Sequence, residues 1–270
     1  MGRTIAVCSQ KGGVGKTTTV LNLGYALSRL GHRTLLVDLD PQGALLLSLK
    51  QEDRSRKGVS DVLGGRCELE GALIETAEKN LALLPFGTLP PKETKSFVEL
   101  IEEKGNLRAL FEKLSGEFEY CLADCPAGIG ALTSAIMTAA DSALVVMLCD
   151  PLAYRSVHQI LELLEEIQSG DGKKTTLEGI LLTQHDVRSK TGSLIAQDVW
   201  ENFPPDTVFQ TVIPRHPLFI EASYQGVPIE RMGRLGSGLG ARYTELAHEV
   251  VLGGAARLFA GEPDEIKPLL

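Results

Sequence analysis

Residues 11–18 read KGGVGKTT, directly after a short apolar run at 4–8 and directly before a helical pattern over 16–29. A strand that passes through a glycine-rich loop into a helix N-terminus forms a phosphate-binding loop, so the chain must supply strand and helix in α/β succession from its first residues. Gly12, Gly13, Val14 and Gly15 form the turn in which backbone N–H groups face phosphate oxygens. Lys16 can reach the terminal phosphates, the Thr17 hydroxyl can ligate magnesium, and Thr18 continues the first helical turn.

The rest of the chain keeps that alternation. Apolar, β-rich runs at 4–8, 34–38, 81–85, 120–124, 143–148, 177–183 and 208–213 predict strands. Amphipathic stretches at 16–29, 107–114, 131–140, 156–168, 193–202 and 241–251 predict helices. The expected fold is α/β: a single doubly wound, mostly parallel sheet with helices on both faces. One domain is expected over 1–260, followed by a short mobile tail at 261–270 carrying Pro263, Pro268 and three acids. The polar stretch 51–57 reads as a surface loop.

A net charge of -8 and a pI near 5.3 argue against attraction of the whole molecule to nucleic acid or anionic lipid, so any basic patch has to be found residue by residue. The five cysteines are odd in number and lack paired metal-ligand spacing, which suits reduced thiols in a cytoplasm. The first strand begins at residue 4, so no signal peptide is expected, and the longest apolar run, 135–149, is broken by Asp141. A soluble, cytoplasmic protein is expected.

In an open parallel sheet, ligands sit beyond the carboxyl ends of the strands. The second strand runs into Asp38 and Asp40, which period-two alternation would put on one side, facing the phosphates. Asp40 before Pro41 also suits a helix N-cap, and both readings stay open. The strand at 120–124 is apolar and ends in Asp124, the Walker B arrangement in which a carboxylate holds magnesium through a water. Cys125 beside it needs no chemical role. The five histidines show neither metal spacing nor a nucleophile partner, His185 included.

The phosphate loop departs from the usual pattern, with Gln10 where glycine is ordinary and an additional lysine, Lys11, at its start. With DLDPQG at 38–43, DCPAG at 124–128, LLTQHDVR at 181–188 and VIPR at 212–215, the chain resembles the ParA/MinD family of deviant Walker A ATPases over almost its whole length, its chromosomal ParA branch most closely. The resemblance implies ATP and Mg2+ as cofactors. Lys11 would reach across a homodimer to the partner's nucleotide, with Gly12 where two backbones approach. Asp40 would position or polarise the attacking water, and Asp38 would organise the magnesium shell or the loop. Pro214 and Arg215 would stack on the purine, with Thr183 or Asp186 at its polar edge.

The activity implied is a ParA-like positioning ATPase: ATP closes the dimer, the dimer binds nonspecific double-stranded DNA, and a ParB-like protein stimulates hydrolysis. Arg188, Lys190, Arg231, Arg234 and Arg242 are the candidate DNA contacts, while Leu218 stands where relatives have an arginine. A MinD-like membrane cycle would need a basic amphipathic C-terminal helix, and the glycine-interrupted stretch with Arg257, Leu258 and Phe259 suits it poorly, so no membrane is expected. A noncatalytic nucleotide-dependent scaffold is the further alternative. The start at the first strand also leads us to expect no operator-binding helix-turn-helix.

Overall fold

The computed structural model describes residues 2–49, 56–89, 91–102, 105–170 and 175–260. Most of the expected loop at 51–57 and all of the expected tail lie outside them. Eight strands form one sheet: β1 (Arg3–Cys8), β2 (Thr34–Asp38), β3 (Ile74–Glu75), β4 (Leu81–Leu84), β5 (Tyr120–Asp124), β6 (Ser142–Leu148), β7 (Thr176–His185) and β8 (Val208–Pro214), in the order β3-β4-β2-β5-β1-β6-β7-β8. Every pairing is parallel except the two-residue antiparallel contact of β3 with β4. Strands β1, β2 and β5 are buried almost throughout because helices cover both faces, which is why their sequences are unbroken apolar runs.

The helices are α1 (Lys16–Arg29), α2 (Ala44–Leu47), α3 (Val59–Leu63), α4 (Thr94–Glu102), α5 (Asn106–Ser115), α6 (Ala131–Ala139), α7 (Pro151–Ser169), α8 (Lys190–Asn202), α9 (Leu218–Gln225) and α10 (Gly233–Ala260). Strand alternation deals the apolar side chains to two cores. Ile5, Val7, Leu36 and Leu122 face α1 and α10, whose Leu23, Leu27, Tyr243 and Leu246 complete that layer. Ala6, Cys8, Leu35, Val37 and Cys121 face α4 to α8. Each fully buried aliphatic side chain contributes about 1.5–3 kcal/mol relative to exposure.

Four helices and one strand were not expected: α2, α3, α4, α9 and β3. Helix α10 also begins well before 241, through Gly233, Gly236, Gly238 and Gly240. There the missing side chains serve packing: a Cβ on Gly236 would meet the Ile229 carbonyl oxygen at 2.3 Å. At the far edge, the Glu249 carboxylate on α10 accepts the Gln210 and Thr211 amides of β8 at 2.7 and 2.9 Å.

The chain leaves β1 toward β2 on one side and returns from β5 to β6 on the other. The crevice of this doubly wound sheet therefore opens at the carboxyl ends of β1, β2 and β5.

Candidate functional site

The loop 9–15 joins β1 to α1, and Gly15 sits at the helix N-cap with φ 98°, a left-handed conformation that suits glycine. No side chain caps this helix, so its first-turn amides remain available to an anion. Lys16 is 7% exposed and its Nζ donates to Ser9 Oγ at 3.0 Å, while Ser9 Oγ donates to the Lys11 carbonyl at 2.7 Å. The buried ammonium thus lies in the loop before any phosphate arrives.

Thr17 Oγ1 donates to Asp124 Oδ2 at 2.6 Å, which joins the helix start to the end of β5. The other oxygen, Asp124 Oδ1, is buried without a hydrogen-bond partner. Burial pushes the Asp124 carboxyl up to about 7, against the opposing pull of the Thr17 hydroxyl and the Lys16 ammonium. Directly abreast on β2, Asp38 is fully buried, and burial reinforced by the Asp124 charge pushes it up to about 8.

Two desolvated carboxyls with one orphan oxygen fit a cation. Magnesium commonly takes one or two protein oxygens and completes its shell with water and phosphate. Thr17 and Asp124 are the residues that would hold it. Among the described residues no group of three or more His, Cys, Asp or Glu could cage a metal alone. Asp38 fastens the turn after β2: its two oxygens accept the Asp40 and Leu45 amides at 3.1 and 3.2 Å.

Strand alternation does not extend to Asp40, because β2 ends at Asp38. Asp40 is partly exposed in the turn that follows; its Oδ1 accepts the Gln42 amide at 2.9 Å and its carbonyl accepts the Gly43 amide. The N-cap of α2 is Gly43, so the helix-capping reading of Asp40 is not realised.

Lys11 lies outside the loop's interior, its Nζ 3.6 Å from Asp150 Oδ1 just past β6, and Gln10 bonds to Gln159 on α7. Gly12 is exposed beside it, with only Ala127 near the place a Cβ would occupy. On the base side, Thr183 differs from expectation: it is 2% exposed and its hydroxyl donates to the carbonyls of Val14 and Met147, so it cannot meet a base edge. Asp186 is engaged by Arg188 through two hydrogen bonds of 3.0 and 3.1 Å, which bring its carboxyl down to about 2. Pro214 ends β8, and the exposed Arg215 donates its amide to the His185 carbonyl at 2.9 Å. The His185 ring pairs with Ser193 Oγ at 3.3 Å.

The five candidate DNA contacts divide into two groups. Arg188 is paired with Asp186, Arg242 with Glu245 at 2.7 Å, and Arg231 with Glu78 at 2.9 Å and the Tyr25 hydroxyl at 3.3 Å. Arg234 and Lys190 are exposed and, among the described residues, carry no ion pair.

A family model described as an AAA domain matches residues 2–178. The chain is 34% identical over 255 residues to the sporulation initiation inhibitor protein Soj of Bacillus subtilis, covering 94% of this chain and 100% of that one. It is 33% identical over 252 residues to the chromosome partitioning protein ParA of Caulobacter vibrioides, covering 92% and 94%. The septum site-determining protein MinD of Pyrococcus horikoshii, solved with Mg-ADP, matches the fold with a TM-score of 0.77 at 28% identity over 93% of this chain and 96% of that one. The chain belongs to the ParA/MinD family of ATPases.

Three site residues of this ParA/MinD-family chain escaped the reading of its sequence: Ser9, Asp150 and Gln184. All are polar residues at or just past the carboxyl end of a strand, β1, β6 and β7 respectively. The strand-end rule that found Asp38 and Asp124 applies to them too, but Ser9 and Asp150 lie outside the motifs, and Gln184 was not singled out within LLTQHDVR.

Proposed function

We propose that this chain is a ParA-like ATPase that closes on ATP and Mg2+ as a homodimer, binds double-stranded DNA without sequence preference, and releases it on hydrolysis stimulated by a ParB-like partner. The observation that carries the reading is the division of labour between two lysines. Lys16 is buried in its own loop, whereas the Lys11 ammonium is turned away from that loop toward Asp150. A cation that does not serve its own site can serve a facing one once it leaves Asp150.

Bound in the loop, magnesium ATP supplies the phosphoryl group and the metal charge that offsets its oxygens. The protein's part is positioning. The loop amides and Lys16 hold phosphate oxygens, Thr17 and Asp124 hold the metal, and Asp38 fixes the turn that carries Asp40. Asp40, partly exposed at the site's mouth, orients the attacking water. Lys11 of the facing subunit adds positive charge where negative charge develops. The working unit is the single domain over 1–260, cytoplasmic and nucleoid-associated in its ATP state.

Lys11→Ala is expected to bind nucleotide as a monomer and to fail in turnover by about a thousandfold, the scale of a cation supplied in trans. Sedimentation with ATP and with ADP checks it. An ATP-dependent dimer of normal stability and activity in this variant would contradict the trans role.

DNA binding should be weak, ATP-dependent and steeply salt-sensitive, since Arg234 and Lys190 are the unpaired cations of the candidate set among the described residues. Arg234→Ala is expected to lower affinity alike for all duplex sequences and to reduce the salt slope by about 1, while Arg242→Ala changes little. A low-salt gel-shift series with ATP reads both. If no duplex of any sequence is bound with ATP, the DNA part of the proposal is withdrawn.

A further inference from the structure

We infer that Gln184 is a positioning residue that presets the peptide planes of the phosphate loop. This rests on the nucleotide reading above and deepens it. Gln184 has φ 50°, and with Asn80 it is one of two non-glycine residues in the left-handed region among those described. That conformation is unfavourable for a side chain bearing Cβ, and Gln184 is exposed, so no burial offsets it. What the conformation achieves is a contact: Gln184 Nε2 donates to the Gly13 carbonyl at 2.6 Å. The neighbouring Thr183 Oγ1 donates to the next carbonyl, Val14, at 2.8 Å.

Both peptides are trans and planar, so each carbonyl is antiparallel to the N–H across its own peptide bond. Drawing the Gly13 and Val14 carbonyls toward the end of β7 turns the Val14 and Gly15 amides the opposite way, into the concave side of the loop. Gly13 at φ 74° and Gly15 at φ 98° permit that arrangement. Two consecutive donors therefore face the phosphate position before it is filled, and binding need not reorganise them. The assignment of the Gln184 amide follows from its partner, because a carbonyl accepts and only the NH2 group can donate to it.

The test uses the full chain, the fluorescent nucleotide mant-ADP with Mg2+, and melting without nucleotide. Gln184→Leu removes the donor and is expected to weaken mant-ADP binding about tenfold, the loss of one hydrogen bond. Gln184→Gly also removes the donor but relieves the left-handed strain. It should melt higher than the parent without nucleotide and still bind mant-ADP more weakly, opposite signs that a merely structural role would not give. Gln184→Glu keeps the length of the side chain but at neutral pH offers only acceptors, so it should bind mant-ADP no better than Gln184→Leu. A Gln184→Gly or a Gln184→Glu protein that binds mant-ADP as tightly as the parent overturns the role of Gln184. If the parent itself binds no nucleotide, the reading of the whole site falls and this inference with it.

Discussion

Lys16→Ala raises the Kd for ATP by about a hundredfold or more, the expected consequence of losing about 3 kcal/mol of charge-assisted hydrogen bonding. The ammonium is 7% exposed, so water cannot take over its role, and the described loop offers no second cation in its interior. The same substitution removes the positive neighbour that holds the Asp124 carboxyl down, which makes ionised Asp124 still less favourable. Thr17→Ala should act in the same direction by freeing Asp124 Oδ2 and removing a magnesium oxygen. Calorimetric titration with Mg-ATP checks both variants, and undiminished affinity in both would remove the loop from the site.

Asp40→Ala is expected to keep ATP binding and the ATP-dependent dimer while hydrolysis falls by about 10²–10⁴-fold, the range for a positioned group that acts on a proton or water in the transition state. The complication is that Asp40 also holds a turn through the Gln42 amide at 2.9 Å. Asp40→Asn separates the roles, because an amide oxygen can still accept that N–H but carries no charge. Single-turnover hydrolysis of bound ATP reads the chemistry apart from binding. An Asp40→Asn protein that turns over at the parent rate assigns the water to another residue.

The legibility of this chain follows its physics. Strands β2 and β5 end where the sequence predicts, at Asp38 and Asp124, because interior parallel strands are apolar runs with sharp polar ends. Helix α1 matches at both ends, since Gly15 and Gly31 bracket an apolar-periodic segment. Helices α2 and α3 have four and five residues, too short for periodicity to register. The start of α10 was hidden by glycines, which lower helix propensity in general but at Gly236 allow the Ile229 backbone to lie against the helix.

Within the candidate site, the residues proposed to meet phosphate or metal could be singled out from the loop motif and the strand ends. Those whose role is contact with another part of the chain were not. The pairing of Thr183 with Val14 spans 169 positions, and nothing local in the sequence says which of two faces a strand-end hydroxyl will meet. The ion pairs of Arg188, Arg231 and Arg242 were equally invisible as pairs, although their acids stand in the same sequence.

The carboxylate of Glu249 on the outer amides of β8 bears on how such a protein can fail. An exposed sheet edge is a template for a stray strand, and uncontrolled edge-to-edge growth leads to fibres. At one margin an incoming chain would have to displace a carboxylate that already satisfies two adjacent amides. At the other it would meet β3, two residues long. Crowded copies of this chain therefore have little opportunity to stick by the margins of their sheets.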